Sequence, residues 1–336
     1  MIRRHSRGGW ILATLLSLAV FPTGLWAADS LAKFRLVQSG HTAMSWPIYV
    51  AKDQKLFEKN GLDFEEIIIR GATNTTRAVL SNTVPVGRIN PDYVITAMEK
   101  GAKVKIISGS LDKIPYNLMA RPEIKSGADL KGKTIGVSSL TGGTTLMLHE
   151  VLEKAFKLKE TDYKLLVVGT SPDRYAALKG GSVQATFMGP PFNIRAKKEG
   201  YTDLAVWHDY LGPIQFVATF AYNDYLKSHR KDTVNYLKSI IQATQWLYDP
   251  KNKEHAIALH MKILKSKPDI AESDYKYVVE EFKPFSPQGD VSEAGMKKTM
   301  ELRIADGMYK GKKVPSWTDF VDNSFVEEAK KQLGLH

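Results

Sequence analysis

The sequence predicts an α/β protein built from two doubly wound lobes with a ligand cleft between them. Predicted strands alternate with predicted helices from about residue 34 to residue 200, a pattern typical of mostly parallel sheets. The two halves of this region align with each other at an offset of about 99 residues, so that Gly101 falls opposite Gly200. Because a sequence repeat of this length indicates a repeated structural unit, we expect two similar lobes.

The first 28 residues have the pattern of a secretory signal peptide. Arginines precede an apolar run over residues 10–21, and Pro22 ends that run before it reaches the length of a membrane span. Cleavage is expected after Ala27 or Ala28. Since the chain contains no cysteine that a lipid anchor could use, the sequence predicts a freely soluble protein of the periplasm.

Composition excludes several classes of function. The absence of cysteine excludes thiol catalysis, zinc–thiolate sites and iron–sulfur clusters. The formal net charge is +11, but the lysines are scattered among acidic residues along the predicted helices. This pattern indicates solvated helix faces rather than a surface for nucleic acid, and the export signal favours the same interpretation.

Each element of the first half has a local signal. Pro47 is placed to open a helix, and Asn60-Gly61 is placed to end it. Residues 67–69 are apolar on both faces, as expected of a buried parallel strand. The predicted strands are 34–37, 63–69, 84–89 and 104–107, and the predicted helices are 48–59, a short one around 78–80, and 92–101.

The second half repeats this plan. The predicted strands are 134–137, 165–168 and 183–187, and the first of them leads into a helix at 144–156. Ser171 is expected to cap the next helix, with Pro172 at its first position. Extended runs at 116–120 and 214–221 are candidates for the segments that cross between the lobes. The chain is predicted to be helical from residue 222 onward, and the capping pattern at Ser316 is expected to open the last helix.

The turn at residues 138–145 carries the clearest local sign of a ligand site. A strand that leads through a glycine-rich turn into a helix directs free N–H groups and the positive end of the helix dipole at one point. Such a point suits a small anionic or polar ligand. The turn matches neither a P-loop nor GxGxxG, and an ordinary strand-to-helix turn remains the alternative.

Four stretches of the chain carry a resemblance to a known family: 47–57 (PIYVAKDQKLF), 60–62 (NGL), 129–137 (DLKGKTIGV) and 177–185 (ALKGGSVQA). They resemble the periplasmic substrate-binding proteins of ABC importers, in the branch with sulfonate-, nitrate-, taurine- and thiamine-precursor-binding proteins. The resemblance implies a type II-like binding-protein fold whose two lobes close over a ligand. Lobe 1 would comprise residues 29–112 and 218–336, and lobe 2 would comprise residues 113–217.

One departure from the family pattern concerns the ligand. The family often has an aspartate where a strand of each repeat meets its loop, but this chain has Pro85 and Gln184 at those places. The first lobe also carries Arg88 in the same strand. The ligand of the sulfonate binders therefore does not carry over directly to this chain.

The expected site lies beyond the carboxyl ends of the parallel strands, where ligands meet helix N-termini. The candidate ligand-binding residues in those loops are His41, Met44, Ser45, Trp46, Asn74, Thr75, Asn90, Asp92, Thr141, Gly142, Gly143, Thr144, Arg174, Gly189, Pro190, His208 and Tyr210.

Three of these candidates carry specific expectations. Arg174 lies in the first turn of its helix, where a cation opposes the dipole, so it is the candidate for a negative group of the ligand; a solvent-exposed arginine is the alternative. Trp46 either stacks on the ligand or belongs to the lobe core. Asp92 would be unfavourable beside an anion unless it pairs with Arg88.

The resemblance implies a binding protein that does no chemistry, with no catalytic residue, metal or cofactor. We expect a monomer whose partners are a small-molecule ligand (a sulfonate, carboxylate or pyrimidine) and the membrane permease of an ABC importer, without nucleic acid. Two alternatives remain open at this point. One is a ligand-sensing module that feeds a membrane receptor, and the other is an enzyme like the pyrimidine-precursor synthase of the thiamine branch.

Overall fold

The structure is a computed structural model of the chain, and it describes Met1 and residues 30–335. The signal peptide predicted from the sequence lies outside the described residues, apart from Met1. The described strands are β1 (Ala32–Gln38), β2 (Leu62–Ile68), β3 (Val86–Ile89), β4 (Val104–Leu111), β5 (Asn117–Ala120), β6 (Thr134–Val137), β7 (Lys164–Val167), β8 (Ala185–Met188), β9 (Thr202–Val206) and β10 (Val217–Tyr222).

These strands form two five-stranded sheets with the same topology. The first sheet has the order β2–β1–β3–β10–β4, and the second has the order β7–β6–β8–β5–β9. β6, β7, β8 and β9 thus take the places that β1, β2, β3 and β4 hold in the first sheet. The predicted class of two α/β lobes is confirmed, and the sequence repeat corresponds to this repeated topology.

The sheets are mixed rather than mostly parallel as predicted. β1 is parallel to β2 and β3, but β10 runs antiparallel to β3 and β4. In the second sheet, β5 runs antiparallel to β8 and β9 in the same way. The physical reason is the chain path: β5 and β10 each enter their sheet from the other lobe, so each runs against its neighbours.

The chain passes between the two sheets twice, after β4 and after β9. The runs predicted as crossing segments lie mostly inside β5 and β10, and the chain crosses just before each of them. The two crossings are hydrogen-bonded to each other, since Phe216 N–H donates to the Leu111 carbonyl at 2.8 Å and Trp207 N–H donates to the Tyr116 carbonyl at 2.9 Å. These two hydrogen-bonded segments connect the lobes.

The described helices flank the sheets and continue beyond the second crossing. They are α1 (Trp46–Asp53), α2 (Leu56–Lys59), α3 (Ala72–Leu80), α4 (Pro91–Glu99), α5 (Gly143–Phe156), α6 (Ser171–Gly180), α7 (Phe192–Lys198), α8 (Trp207–Leu211), α9 (Asn223–Ser228), α10 (Arg230–Tyr248), α11 (Lys253–Leu264), α12 (Pro268–Tyr275), α13 (Glu293–Ala305) and α14 (Ser324–Gln332). In the described residues, no helix combines the length and the apolar composition that a bilayer crossing requires.

Three predicted helix boundaries differ from the structure. The helix predicted at 48–59 is divided into α1 and α2 by Lys55, whose φ of 52° is left-handed. Thr170 rather than Ser171 is the N-cap of α6, because Asp173 accepts the Thr170 N–H in a capping box. The capping box at Ser316 opens a short 3-10 turn, and the last α-helix begins only at residue 324.

The C-terminal helices bury the outer face of the first sheet and also reach the second lobe. Tyr236 of α10 stacks on Phe34 of β1 with ring centroids 4.7 Å apart. From α13, Lys298 pairs with Glu150 of α5 at 2.7 Å. The helices therefore contribute to the core of one lobe and to the contact between both lobes.

Gly109 of β4 tests how tightly the C-terminal segment packs on the first sheet. A Cβ at residue 109 would lie 2.2 Å from the carbonyl oxygen of Asp290, so Gly109→Ala should lower the free energy of unfolding by about 1–3 kcal/mol. Gly180→Ala in α6 is the matched control, because no atom lies near the position of the added Cβ. Ala is more favourable than Gly in a helix by about 0.5–1 kcal/mol, so this variant should not be destabilised. Urea unfolding measures both changes, and an Ala at residue 109 as well tolerated as one at residue 180 would contradict this packing.

Candidate functional site

A cleft of about 640 Å³ lies between the two sheets. Its wall is formed by loops after β1, β2 and β3 of the first lobe and by loops after β6 and β7 of the second lobe. These are the carboxyl ends of parallel strands, where α/β proteins place their ligands. The volume falls within the range of pockets that bind small organic molecules.

The charged side chains of the cleft wall all carry, or can carry, positive charge. Arg70, Arg88 and Arg174 line the cleft together with His41. Within residues 30–335, no aspartate or glutamate lines it. The wall of the cleft is therefore an electropositive surface.

Arg88 is held in place by neutral groups of the first lobe. It lies in β3, is 8% exposed, and donates through Nη2 to the Met44 carbonyl at 2.7 Å. Its Nη1 donates to Gln38 Oε1 at 3.1 Å, while the other end of the Gln38 amide donates to Glu66. Glu66 itself pairs with Lys52 at 3.2 Å. The Gln38 amide thus separates Arg88 from the nearest acid, and burial lowers the pKa of Arg88.

Arg174 is fixed in the same manner by the second lobe. It is 2% exposed, so the alternative of a solvent-exposed arginine is wrong. Its Nε donates to the Phe187 carbonyl at 2.8 Å, Nη2 donates to Ser171 Oγ at 3.1 Å, and Nη1 donates to the Gly169 carbonyl. The guanidinium carbon lies 4.1 Å from the centroid of the Phe187 ring. Burial lowers the pKa of Arg174.

Neither buried arginine forms an ion pair in the described part of the chain. The acid nearest in sequence to Arg174 is Asp173, which pairs with Arg70 of the other lobe and caps α6. Moving a charged group from water to a protein interior is costly unless an opposite charge or several hydrogen bonds compensate. Arg88 and Arg174 have hydrogen bonds but no carboxylate at ion-pair distance among the described residues, so an anion in the cleft would be favourable beside either of them.

Aromatic side chains give the cleft an apolar surface beside the two guanidiniums. Tyr116 of the first crossing and Phe216 of the second crossing both line the cleft, with ring centroids 5.0 Å apart. Phe187 lies 5.4 Å from Tyr116 and also lines the cleft. This combination suits a ligand that has an apolar body as well as charge.

Asp92 joins the two lobes beside the cleft. Its Oδ2 accepts the Gly143 N–H at 2.8 Å, and Gly143 is the first residue of α5 in the second lobe. Oδ2 also lies 3.3 Å from Nη2 of Arg303 in α13. The partner of Asp92 is therefore Arg303 and not Arg88, which the sequence suggested. Burial raises the pKa of Asp92 to about 6, outweighing the opposite effects of Arg303 and the Gly143 N–H.

The structure brings seven of the seventeen predicted site residues to the cleft wall. These seven are His41, Met44, Ser45, Asn74, Asn90, Thr144 and Arg174. The remaining ten lie away from the wall: Trp46, Thr75, Asp92, Thr141, Gly142, Gly143, Gly189, Pro190, His208 and Tyr210.

Two candidates in the first lobe, Trp46 and Thr75, make their contacts inside that lobe and not in the cleft. Trp46 is fully buried with its ring centroid 4.5 Å from that of His260, so the core alternative describes it. Thr75 is buried in α3, where its hydroxyl donates to the Ile69 carbonyl at 2.9 Å. Neither side chain has a polar or aromatic surface left for the cleft.

The N-terminus of α5 does not supply the amides that its glycine turn suggested. The Gly142 N–H donates to Ser139 Oγ at 2.9 Å, and the Gly143 N–H is taken by Asp92. Thr141 is exposed outside the cleft, while Thr144 lines it and pairs with Ser138 Oγ at 2.9 Å. The two glycines of the turn contact α4 across the lobe boundary, while Ser138, Ser139 and Thr144 line the cleft.

The other candidates of the second lobe serve packing. Gly189 lies against Tyr116, since a Cβ there would be 2.9 Å from its ring, and Pro190 follows directly in the chain. His208 packs edge-on against Phe282 at 5.3 Å. Tyr210 is half-buried, and its carbonyl accepts from Lys154 at 3.0 Å.

Sequence reasoning did not select several residues of the cleft wall, among them Gln38, Arg70, Arg88, Tyr93, Tyr116, Phe187 and Phe216. For Arg88 a signal was available, because a charged residue interrupts a strand that is otherwise apolar. The aromatic residues had no such signal, since they read as ordinary core positions. Within the described chain, no cluster of His, Asp and Glu has the arrangement of a metal site.

Residues 42–253 match the profile of the family described as NMT1/THI5 like. The protein YtlA of Bacillus subtilis (strain 168) is 24% identical over 253 residues, which cover 73% of this chain and 75% of YtlA.

Two solved structures are similar in fold. The alkanesulfonate-binding protein SsuA from Xanthomonas axonopodis pv. citri, bound to MOPS, superposes with a TM-score of 0.72 at 18% identity, covering 88% of this chain and 100% of SsuA. A ligand-binding component of an ABC-type import system from Staphylococcus aureus has a TM-score of 0.72 at 15% identity, covering 89% and 99% of the two chains. Both likenesses show the fold.

The raised pKa of Asp92 predicts a pH-dependent difference in stability. Between about pH 4 and pH 6 the folded chain keeps a proton on Asp92 that the unfolded chain has lost. The free energy of unfolding of the wild type, minus that of Asp92→Asn, should therefore fall as pH rises from 4.5 to 7. Urea unfolding across this range measures the difference.

Asp129→Asn provides the control for the Asp92 experiment. Asp129 is exposed, and backbone N–H groups lower the pKa of its carboxyl. Its carboxyl is therefore ionised in both the folded and the unfolded chain above pH 4.5, and the difference from wild type should stay flat. A rising or flat profile for Asp92→Asn would contradict the assignment of a desolvated carboxyl at the lobe boundary.

Proposed function

This chain belongs to the NMT1/THI5-like family, and from that premise we propose that it is the solute-binding component of an ABC importer. The fold it shares with a ligand-binding component of an ABC-type import system supports this proposal. The protein then binds its ligand without changing it chemically and works as a monomer in the periplasm. Its macromolecular partner is the importer permease.

The proposed ligand is a small organic anion. The observation that carries this proposal is the pair of buried guanidiniums, Arg88 and Arg174, on a cleft wall where no described acid compensates them. Of the ligand classes that the sequence suggested, sulfonates and carboxylates meet this need, and a neutral pyrimidine does not. SsuA, which has a similar fold, binds alkanesulfonates.

Lobe closure is the proposed mechanism of binding. Arg88 is fixed to the first lobe and Arg174 to the second lobe, so a ligand contacts both only when the lobes are together. A ligand shifts a conformational equilibrium by its difference in affinity for the two states. An anion that gains a second charged contact on closure therefore favours the closed state, which the permease is proposed to recognise.

A thermal-shift screen tests whether the cleft binds organic anions. We expect at least one sulfonate or carboxylate to raise the Tm by about 4 °C when its concentration is about 100 times its Kd. Neutral pyrimidines at the same concentration form the comparison set. The proposal of an anion-binding protein fails if none of the anions shifts the Tm, and conversion of any of them to product would contradict binding without chemistry.

Removal of either buried arginine tests the role of the guanidiniums. At least one of Arg88→Met and Arg174→Met should weaken binding of the anion found in the screen by at least about 30-fold, because it removes one partner of a desolvated charge pair. Isothermal titration calorimetry measures the Kd.

The arginine controls are Arg121→Met in the second lobe and Arg230→Met in α10. These side chains pair with Glu123 and Glu328 on the surface and do not line the cleft. Both controls should keep the wild-type Kd. Unchanged affinity in the Arg88 and Arg174 variants would show that the anion binds elsewhere.

A further inference from the structure

We infer that the ligand of this cleft is an organic dianion, with one anionic group on Arg88 of the first lobe and the other on Arg174 of the second lobe. This inference rests on the proposed function, because it specifies the ligand of the same cleft. It goes further by assigning a number of charges and a position for each of them.

The balance of charge in the cleft favours a dianion. Arg88 and Arg174 are at most 8% exposed, and within residues 30–335 neither has a carboxylate partner. A closed cleft excludes water, so an uncompensated guanidinium loses hydration without gaining a counter-charge. A monoanion supplies one negative charge for two guanidiniums. A dianion compensates both.

The two guanidiniums belong to separate sets of contacts. Every protein group that accepts a hydrogen bond from Arg88 lies in β1 or the loop after it. The groups that accept from Arg174 are Gly169, Ser171 and Phe187 of the second lobe. Each guanidinium is thus fixed by its own lobe, and each offers its own position for an anionic group.

The other positive groups of the cleft do not require a third negative charge. Arg70 is largely exposed and already pairs with Asp173 across the cleft. His41 lies 3.8 Å from Glu66, which provides its nearest carboxylate. The N-terminus of α5 is capped by Asp92, so its dipole adds no free anion position. The guanidiniums of Arg88 and Arg174 are therefore the arginine side chains of the cleft wall that have no carboxylate at ion-pair distance in the described residues.

The body of the dianion would lie against the aromatic side chains of the crossing segments. Tyr116 and Phe216 line the cleft and come from the two connections between the lobes. A cleft of about 640 Å³ is far larger than a single carboxylate or sulfonate group needs. The chemistry therefore fits a carbon skeleton, aromatic or aliphatic, with an anionic group at each end.

Matched esters test the number of charges while keeping the ligand skeleton constant. The probes are terephthalate and adipate as dianions, the monomethyl ester of each as the monoanion, and the dimethyl ester of each as the neutral form. Calorimetry at pH 7.5 gives the Kd of each probe. We expect the better-fitting dianion to bind at least about 30-fold more tightly than its monoester.

The arginine variants assign each charge to a lobe. In Arg88→Met and in Arg174→Met, the affinity for the dianion should fall to the level of its monoester. The monoester itself should lose affinity mainly in one of the two variants, since it engages one guanidinium. Arg88→Lys and Arg174→Lys keep the charge and should retain the preference for the dianion, which separates loss of charge from loss of folding.

The outcomes distinguish this inference from the proposed function. Equal affinity for a dianion and its monoester overturns the inference and leaves an anion-binding protein. If monoanionic sulfonates bind and no dianion does, the inference is likewise overturned and an anion-binding protein remains. If no probe of any charge shifts the Tm or gives heat of binding, and the wider anion screen is also negative, the proposed function fails together with the inference.

Discussion

The burial of two guanidiniums without a counter-charge is the constraint on which the cleft depends. Arg88 and Arg174 are held by carbonyl, hydroxyl and amide oxygens, which fix their positions but leave their charge uncompensated. In a low-dielectric site, a neutral acceptor recovers only part of what hydration provides. The protein has this cost on both sides of one cleft, and the anionic ligand that we propose would relieve it. Recognition and lobe closure then have the same physical origin.

The contact between Asp92 and Gly143 occupies a helix end that could otherwise bind an anion. The N-terminus of α5 points at the lobe boundary, where a free amide and the helix dipole would attract a negative group. The chain provides that group itself through Asp92, which Arg303 holds from α13. The C-terminal helices thereby help to position both lobes. The capped helix end contributes to the contact between the lobes, and its Gly143 amide is not free to bind a ligand.

Much of the fold could be predicted from the sequence, because it follows from local signals and from a repeat. Alternating strands and helices gave the two lobes, but the antiparallel entry of β5 and β10 depends on a chain path that no local pattern encodes. The candidate site was predicted at the level of loops, not of side chains. Gly143 and Trp46 have the right position in sequence, yet long-range partners, Asp92 and His260, determine what they contact. Arg174 was selected for its charge, and its burial depends on packing against Phe187.

The most direct test of the central claim is a crystal structure of the protein with a bound organic anion from the screen. Our account predicts anionic oxygens within hydrogen-bond distance, about 2.7–3.2 Å, of the guanidiniums of both Arg88 and Arg174, with the body of the ligand against Tyr116 and Phe216. A ligand whose negative groups lie on the amides of the α5 turn, or outside this cleft, with both guanidiniums unoccupied, would contradict it.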